Sequence, residues 1–242
     1  MCHGTDSRPP APPDPGEVAA HGPVVLTSAD GTAFSAYAAT PVRPREQGVV
    51  ILPDIRGLHP FYVALAQRFA EAGYHAVAID YFGRTAGTTP RGDDFKFRPH
   101  VDQVDPQNVL ADARAALDHL RGQGIDTVFS VGFCFGGGQS WRLAATDLPI
   151  AGAVGFYGRL ALLSEVADGV HAPLLMLIAG ADRTTPEEFA AVAERISDAG
   201  SPVDMQVYDG APHSFFDRAY ADWADACADA WARIIAFTER HR

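Results

Sequence analysis

Six short stretches of the chain are predominantly apolar: Val49 to Leu52, His75 to Ile79, Val128 to Gly132, Ala151 to Phe156, Leu174 to Ala179 and Val203 to Val207. Their length and their content of Val, Ile, Leu and Ala are those of parallel strands buried on both faces. The segments between them have helix length and helix punctuation. Pro60 to Ala72 ends at Gly73, Pro106 to Arg121 follows Asp105 as N-cap and ends at Gly122, and Pro186 to Ala199 follows Thr185 and ends at Gly200. From Tyr220 to His241 the residues Trp223, Cys227, Trp231, Ile234 and Ile235 recur at helical spacing, which predicts a last helix laid on one sheet face. Ahead of these, Val24 to Ser28 and Phe34 to Thr40 flank Ala29-Asp30-Gly31, whose Asp-Gly pair predicts a β-hairpin. The fold class is therefore α/β: a doubly wound, mostly parallel sheet with an N-terminal β-hairpin and helices on both faces, with ligands expected beyond the carboxyl ends of the strands.

Before the hairpin the run SRPPAPPDPG, Ser7 to Gly16, carries five prolines. Proline removes amide donors and disfavours helix and central strand, so residues 1–20 are expected to form an extended tail and residues 21–242 a single domain. A net charge of −11 without a block of clustered Lys or Arg speaks against nucleic acid and anionic membranes as partners. No apolar run is long enough to span a bilayer and Met1 to Ala20 has no apolar h-region, which makes the cytoplasm the expected location. Three scattered cysteines and nine dispersed histidines form neither a disulfide framework nor a metal-ligand spacing, so neither metal nor organic cofactor is expected.

The strand Val128 to Gly132 runs into Gly132-Phe133-Cys134-Phe135-Gly136, the pattern G-x-nucleophile-x-G at a strand-to-helix junction. A nucleophile on so sharp a turn leaves no room for side chains two residues to either side, hence Gly132 and Gly136. A helix beginning near Phe135 would aim its free amides at the Cys134 sulfur, and the Phe135 N–H could donate to an oxyanion. Read blandly, Cys134 would be a small core residue between glycines that let strand and helix pack.

A thiol that turns over acyl groups needs a base, and an imidazole base needs a carboxylate to fix its tautomer. Asp182 stands just past Leu174 to Ala179, and His213 on the loop after Val203 to Val207. Asp182 alone would read as a turn or cap residue. The chain order Cys134, Asp182, His213 is nevertheless that of an α/β-hydrolase fold.

With these residues the chain resembles the dienelactone hydrolase family, from about Gly48 to the C-terminal helix. The matching motifs are Leu52-Pro53-Asp54-Ile55-Arg56-Gly57, Asp80-Tyr81-Phe82-Gly83-Arg84, Gly132-Phe133-Cys134-Phe135-Gly136-Gly137, Phe156-Tyr157-Gly158, Gly180-Ala181-Asp182 and His213-Ser214-Phe215. The resemblance implies that Asp54 stands where the family has a Glu that activates the nucleophile, and that Ile55 supplies the second oxyanion N–H. It also implies that Arg84 binds a substrate carboxylate and that Tyr157 is an aromatic near the site. A second family arginine is expected just after the catalytic His; here Arg218 lies one position late, behind Asp217. Arg56 and His59, on the oxyanion loop, are further candidates to line the pocket.

The expected function is hydrolysis of a small-molecule ester or lactone through a Cys134 thioester, with a carboxylated dienelactone as first substrate class and a monomer or small homo-oligomer as the working form. A general short-chain carboxylesterase or thioesterase is the alternative. Two others are a ligand-binding homologue without turnover and a redox-sensing thiol with Cys227 or Cys2 as partner. The polar segment Thr85 to Val104, which would cap the site, carries no chemistry that can be read from its residues.

Overall fold

The six apolar stretches all become parallel strands, and the hairpin extends the sheet on one side. In the computed structural model, which describes residues 7–91, 94–217 and 221–242, the strands are β1 (Val18–Thr27), β2 (Ala33–Pro41), β3 (Gln47–Leu52), β4 (His75–Ile79), β5 (Thr127–Phe133), β6 (Gly152–Phe156), β7 (Leu174–Ala179) and β8 (Val203–Tyr208). They form one eight-stranded sheet in the order β1-β2-β4-β3-β5-β6-β7-β8. β1 and β2 pair antiparallel, as do β2 and β4, and every other pair is parallel. The helices are α1 (Pro60–Glu71), α2 (Gly83–Ala86), α3 (Arg98–Val101), α4 (Pro106–Arg121), α5 (Phe135–Leu143), α6 (Leu160–Ser164), α7 (Pro186–Asp198) and α8 (Ala224–Arg240).

The helix starts follow their caps. The Asp105 carboxylate accepts the Gln107 N–H, and Thr185 with Glu188 closes a reciprocal capping box, so α4 and α7 open with their orphan amides partly satisfied. Alternation along the central strands divides the interior. Val49, Ile51, Phe129, Val131 and Phe133 pack with α1 and α8 through Phe61, Leu65, Phe69, Trp231 and Phe237. Val50, Leu52, Val77 and Ile79 pack with α4, while Leu174, Met176 and Ile178 meet Trp141, Phe189 and Ile196. Each such buried side chain contributes about 1.5–3 kcal/mol, and the two faces together make this the doubly wound sheet that the alternation predicts.

Register brings the strand ends to a common edge. Leu52 pairs with Gly132, Phe133 with Phe156, and Ala179 with Tyr208, so the loops beginning at Pro53, Cys134, Tyr157, Gly180 and Asp209 leave the sheet side by side.

The N-terminal segment departs from expectation. β1 begins at Val18, within the range assigned to the tail, and Ser7, Pro9, Pro10 and Pro12 are buried against the domain. The segment lacks helix and strand, as its prolines require, but it is packed rather than free; the boundary at residues 20 and 21 is corrected accordingly. Among the described residues, no helix is long and apolar enough to cross a membrane.

Candidate active site

Cys134 joins β5 to α5 with φ 55° and ψ −113°, a backbone conformation that L residues rarely adopt. Its N–H donates to Phe156 O at 3.0 Å, and its carbonyl accepts the N–H groups of Gly137 at 3.0 Å and Gly138 at 3.3 Å. The flanking glycines are sterically compulsory. A Cβ on Gly132 would lie 1.9 Å from Gly136 O, and one on Gly136 would lie 2.1 Å from Leu52 O and 2.3 Å from Pro53 O. The start of α5 is therefore pressed against the end of β3, which sets the Phe135 amide beside the loop that carries Ile55. Among the described residues, the N–H groups of Ile55 and Phe135 donate no hydrogen bond, so both remain available to an oxyanion.

Asp182 and His213 meet as their positions in the chain order predict. His213 Nδ1 and Asp182 Oδ2 are 2.5 Å apart, and Asp182 Oδ1 accepts the Arg183 N–H at 2.8 Å. Burial pushes the Asp182 carboxyl up, but the His213 and Arg183 hydrogen bonds and charges outweigh it and hold the group below its ordinary value. A carboxylate kept ionised against Nδ1 fixes the imidazole tautomer and leaves Nε2 for proton transfer.

Tyr157 links His213 to the Cys134 turn. It follows Phe156, the acceptor of the Cys134 N–H, and its ring stands 4.9 Å from the His213 ring. With φ 37°, its own N–H on Leu177 O and 2% exposure, it buttresses the imidazole; the expectation that it offers a substrate-binding surface is corrected.

Three further expectations change in the structure. Both Asp54 oxygens are engaged by Arg56: Oδ1 by the backbone N–H at 2.9 Å and Nε at 3.2 Å, Oδ2 by Nη2 at 2.9 Å. Asp54, fully buried, thus braces the loop that carries Ile55 through a bidentate guanidinium pair, a contact that the resemblance did not imply. His59 caps α1, its Nδ1 accepting the Phe61 N–H at 3.3 Å, with Nε2 3.4 Å from Arg56 Nη1.

Arg84 is the largest correction. Its Nε and Nη2 donate to Asp30 Oδ2 at 3.1 and 2.9 Å, and Nη1 bonds both oxygens of Asp112 at 2.8 Å. The Ser28 hydroxyl also donates to Asp112, which is 1% exposed. The guanidinium ties the hairpin turn to α4, with all three of its nitrogens engaged by carboxylates instead of presented to a substrate. Arg218 lies outside the described residues.

The segment 83–104 hides an order that its polar residues mask. Arg91 donates to Asp80 Oδ2 at 2.5 Å and lies over the rings of Phe95 and Phe82 at 4.8 and 5.4 Å, while Phe95 stacks on His100 at 4.9 Å. Asp80 Oδ1 in turn accepts the Leu58 N–H, which roots the cap to the oxyanion loop. Arg91 and Asp80 escaped the sequence reading; the alternation of Phe82, Phe95 and Phe97 with basic residues was the available signal.

The dienelactone hydrolase family model matches residues 34–242, a span that contains Cys134, Asp182 and His213. The chain belongs to the dienelactone hydrolase family. It is 29% identical over 259 aligned residues to the carboxymethylenebutenolidase of Rhodococcus opacus, covering 100% of this chain and 97% of that one. A provisionally named carboxymethylenebutenolidase of Methylorubrum extorquens is 30% identical, with coverage of 88% and 78%. The crystal structure of a provisionally named dienelactone hydrolase from Klebsiella pneumoniae superposes with a TM-score of 0.75 at 25% identity, covering 91% of this chain and 99% of that one. As in those dienelactone hydrolase structures, the fold here is that of the α/β-hydrolases, and the chain is a hydrolase.

Proposed function

We propose that this hydrolase cleaves a carboxylic ester or lactone by acyl transfer through Cys134. The observation that carries the reading is the Asp182–His213 contact of 2.5 Å, formed at the same sheet edge as the strained Cys134 elbow. His213, held by Asp182, takes the Cys134 thiol proton as sulfur attacks the carbonyl carbon, and the Ile55 and Phe135 amides receive the oxyanion. Collapse expels the alkoxide, which takes the proton back from His213 and leaves a thioester. His213 then removes a proton from water, hydroxide attacks the thioester carbon, and the carboxylic acid leaves as Cys134 recovers its proton. Every proton and electron pair is handled by these side chains and water.

For the substrate, the name carboxymethylenebutenolidase borne by the Rhodococcus relative supports an unsaturated lactone that carries a carboxylate. Arg56, on the loop of the oxyanion amide, is the cation this reading calls on; its guanidinium is shared with Asp54, while that of Arg84 is shared between Asp30 and Asp112. The commitment of Arg84 to Asp30 and Asp112 equally favours a second reading, hydrolysis of uncharged short-chain esters. A redox role is weaker still: Cys227 is buried, its thiol donates to Phe215 O at 3.5 Å, and burial pushes its pKa up to about 11, which suppresses the thiolate that disulfide exchange needs.

The test compares turnover of a carboxylated dienelactone and of p-nitrophenyl acetate by the wild type, Cys134→Ala and Arg56→Ala. Cys134→Ala is expected to lower both rates by about a thousandfold or more. Arg56→Ala, which also unpairs Asp54 on the loop of Ile55, should lower the lactone rate more than the ester rate if the carboxylate reading holds. Equal effects on both substrates, or turnover of the neutral ester alone, would leave the cysteine hydrolase and remove the dienelactone.

A further inference from the structure

The packed N-terminal segment reaches the loop of the catalytic base. The Arg8 backbone N–H donates to Asp217 Oδ1 at 3.1 Å, and the Trp231 indole N–H of α8 donates to Pro10 O at 3.2 Å. Asp217 lies four residues after His213, is 2% exposed, and bonds back through its own N–H to Phe215 O at 2.7 Å. Phe216 sits between the rings of Trp231, at 5.8 Å, and Phe133, at 5.7 Å. The segment thus grips the His213 loop at its polar anchor, Asp217, and braces the aromatic wall behind it.

The composition of the segment suits this task. A buried extended chain leaves its amides without partners unless a strand pairs with it, but Pro9, Pro10 and Pro12 have no N–H to orphan. Of the amides that remain beside them, that of Arg8 donates to the buried Asp217 carboxylate, while Ala11 is exposed. Arg8 also precedes Pro9, which confines it to extended backbone and presents its N–H at little entropic cost. The loop it holds needs outside support, because Ser214, next to His213, has φ 67°.

We propose that Ser7–Pro12 is a positioning strap for the catalytic histidine, acting through the Arg8 N–H and Asp217 and not touching substrate. The proposal rests on the reading of Cys134 and His213 as nucleophile and base. The test pairs Arg8→Pro, which deletes the donor and keeps the extended backbone, with Arg8→Ala, which keeps the donor and deletes the side chain. Three quantities are measured: kcat and KM for p-nitrophenyl acetate, the rate of Cys134 alkylation by iodoacetamide near neutral pH, and Tm. Relative to Arg8→Ala, the proline variant is expected to lose about tenfold in kcat and in alkylation rate, with KM changed by less than about twofold. Equal kcat and alkylation rates in the two variants would overturn the strap, as would a loss that merely follows a fall in Tm. Cys134→Ala separates the two levels: if it is inactive while the Arg8 variants agree, only the strap falls, and if it stays active, the triad and the strap fall together.

Discussion

The Cys134 elbow and the described residues of the segment 83–104 follow strands at the same edge of the same sheet, yet they are held by different kinds of constraint. At the elbow the constraint is local and steric: backbone atoms within four residues, and the end of β3, exclude every side chain but hydrogen at 132 and 136. In the segment the constraint is remote and electrostatic. Arg84 finds its partners at Asp30, in the hairpin turn, and at Asp112, on α4, while Arg91 finds Asp80 and the rings of Phe82 and Phe95. Local sterics write themselves into residue type. Remote pairing does not, because an arginine opposite a substrate and an arginine opposite a buried aspartate are the same letter.

The most direct way to break the first half of the comparison is Gly132→Ala. Its Cβ would sit 1.9 Å from the Gly136 carbonyl oxygen, a backbone atom that cannot give way without unseating α5. The expected loss is about 4 kcal/mol or more, measured by urea unfolding, with hydrolysis lost as well. A folded variant of near wild-type stability and activity would show that the elbow tolerates rearrangement and that its glycines are not compulsory.

The same contrast explains what could be read from the residues alone. The strand Leu174–Ala179 and the helix Pro106–Arg121 were legible to the residue, because apolar runs, Asp105 and Gly122 act locally. Cys134, Asp182 and His213 were legible as candidates because each follows a strand in a fixed order, and the structure brings Asp182 and His213 into contact. The short helices α2, α3 and α6 were not, since four or five residues carry too little periodicity to register. The packing of the proline-rich segment was not legible for a further reason: burial of Pro9 and Pro10 depends on Trp231 and Asp217, more than 200 residues away.

Arg84→Ala tests the second half, with a smaller effect. It leaves Asp112, 1% exposed, without its guanidinium, at a cost of about 3 kcal/mol, or roughly 6–12 °C in Tm. The ratio of rates on a carboxylated lactone and a neutral ester should stay unchanged. A selective loss of the carboxylated substrate at constant Tm would return Arg84 to the pocket and undo the comparison.

The smallest effect sharpens the contrast through two carboxylates that respond oppositely to acid. At Asp182 the largest influence is burial, which pushes the carboxyl up, but the His213 and Arg183 hydrogen bonds and charges bring it below 3.8. At Asp112 burial is again the largest influence and prevails over Ser28 and Arg84, so the carboxyl rises above 3.8. A folded-state value below the unfolded one gives stability that is present above the unfolded value and lost as pH falls through the folded value; Asp182 therefore stabilises toward neutrality. A folded-state value above the unfolded one gives the reverse, so the Asp112 contribution is full in acid and lost as pH rises through its folded value. Urea unfolding from about pH 3 to 6 should then show the advantage of wild type over Asp182→Asn growing with pH, and its advantage over Asp112→Asn shrinking. Solvent reaches Asp182, so its slope should amount to less than about 1 kcal/mol across that range. Slopes of the same sign would mean that the site carboxylate, like the structural one, is governed by burial, and that its hydrogen bond to His213 does not decide its charge.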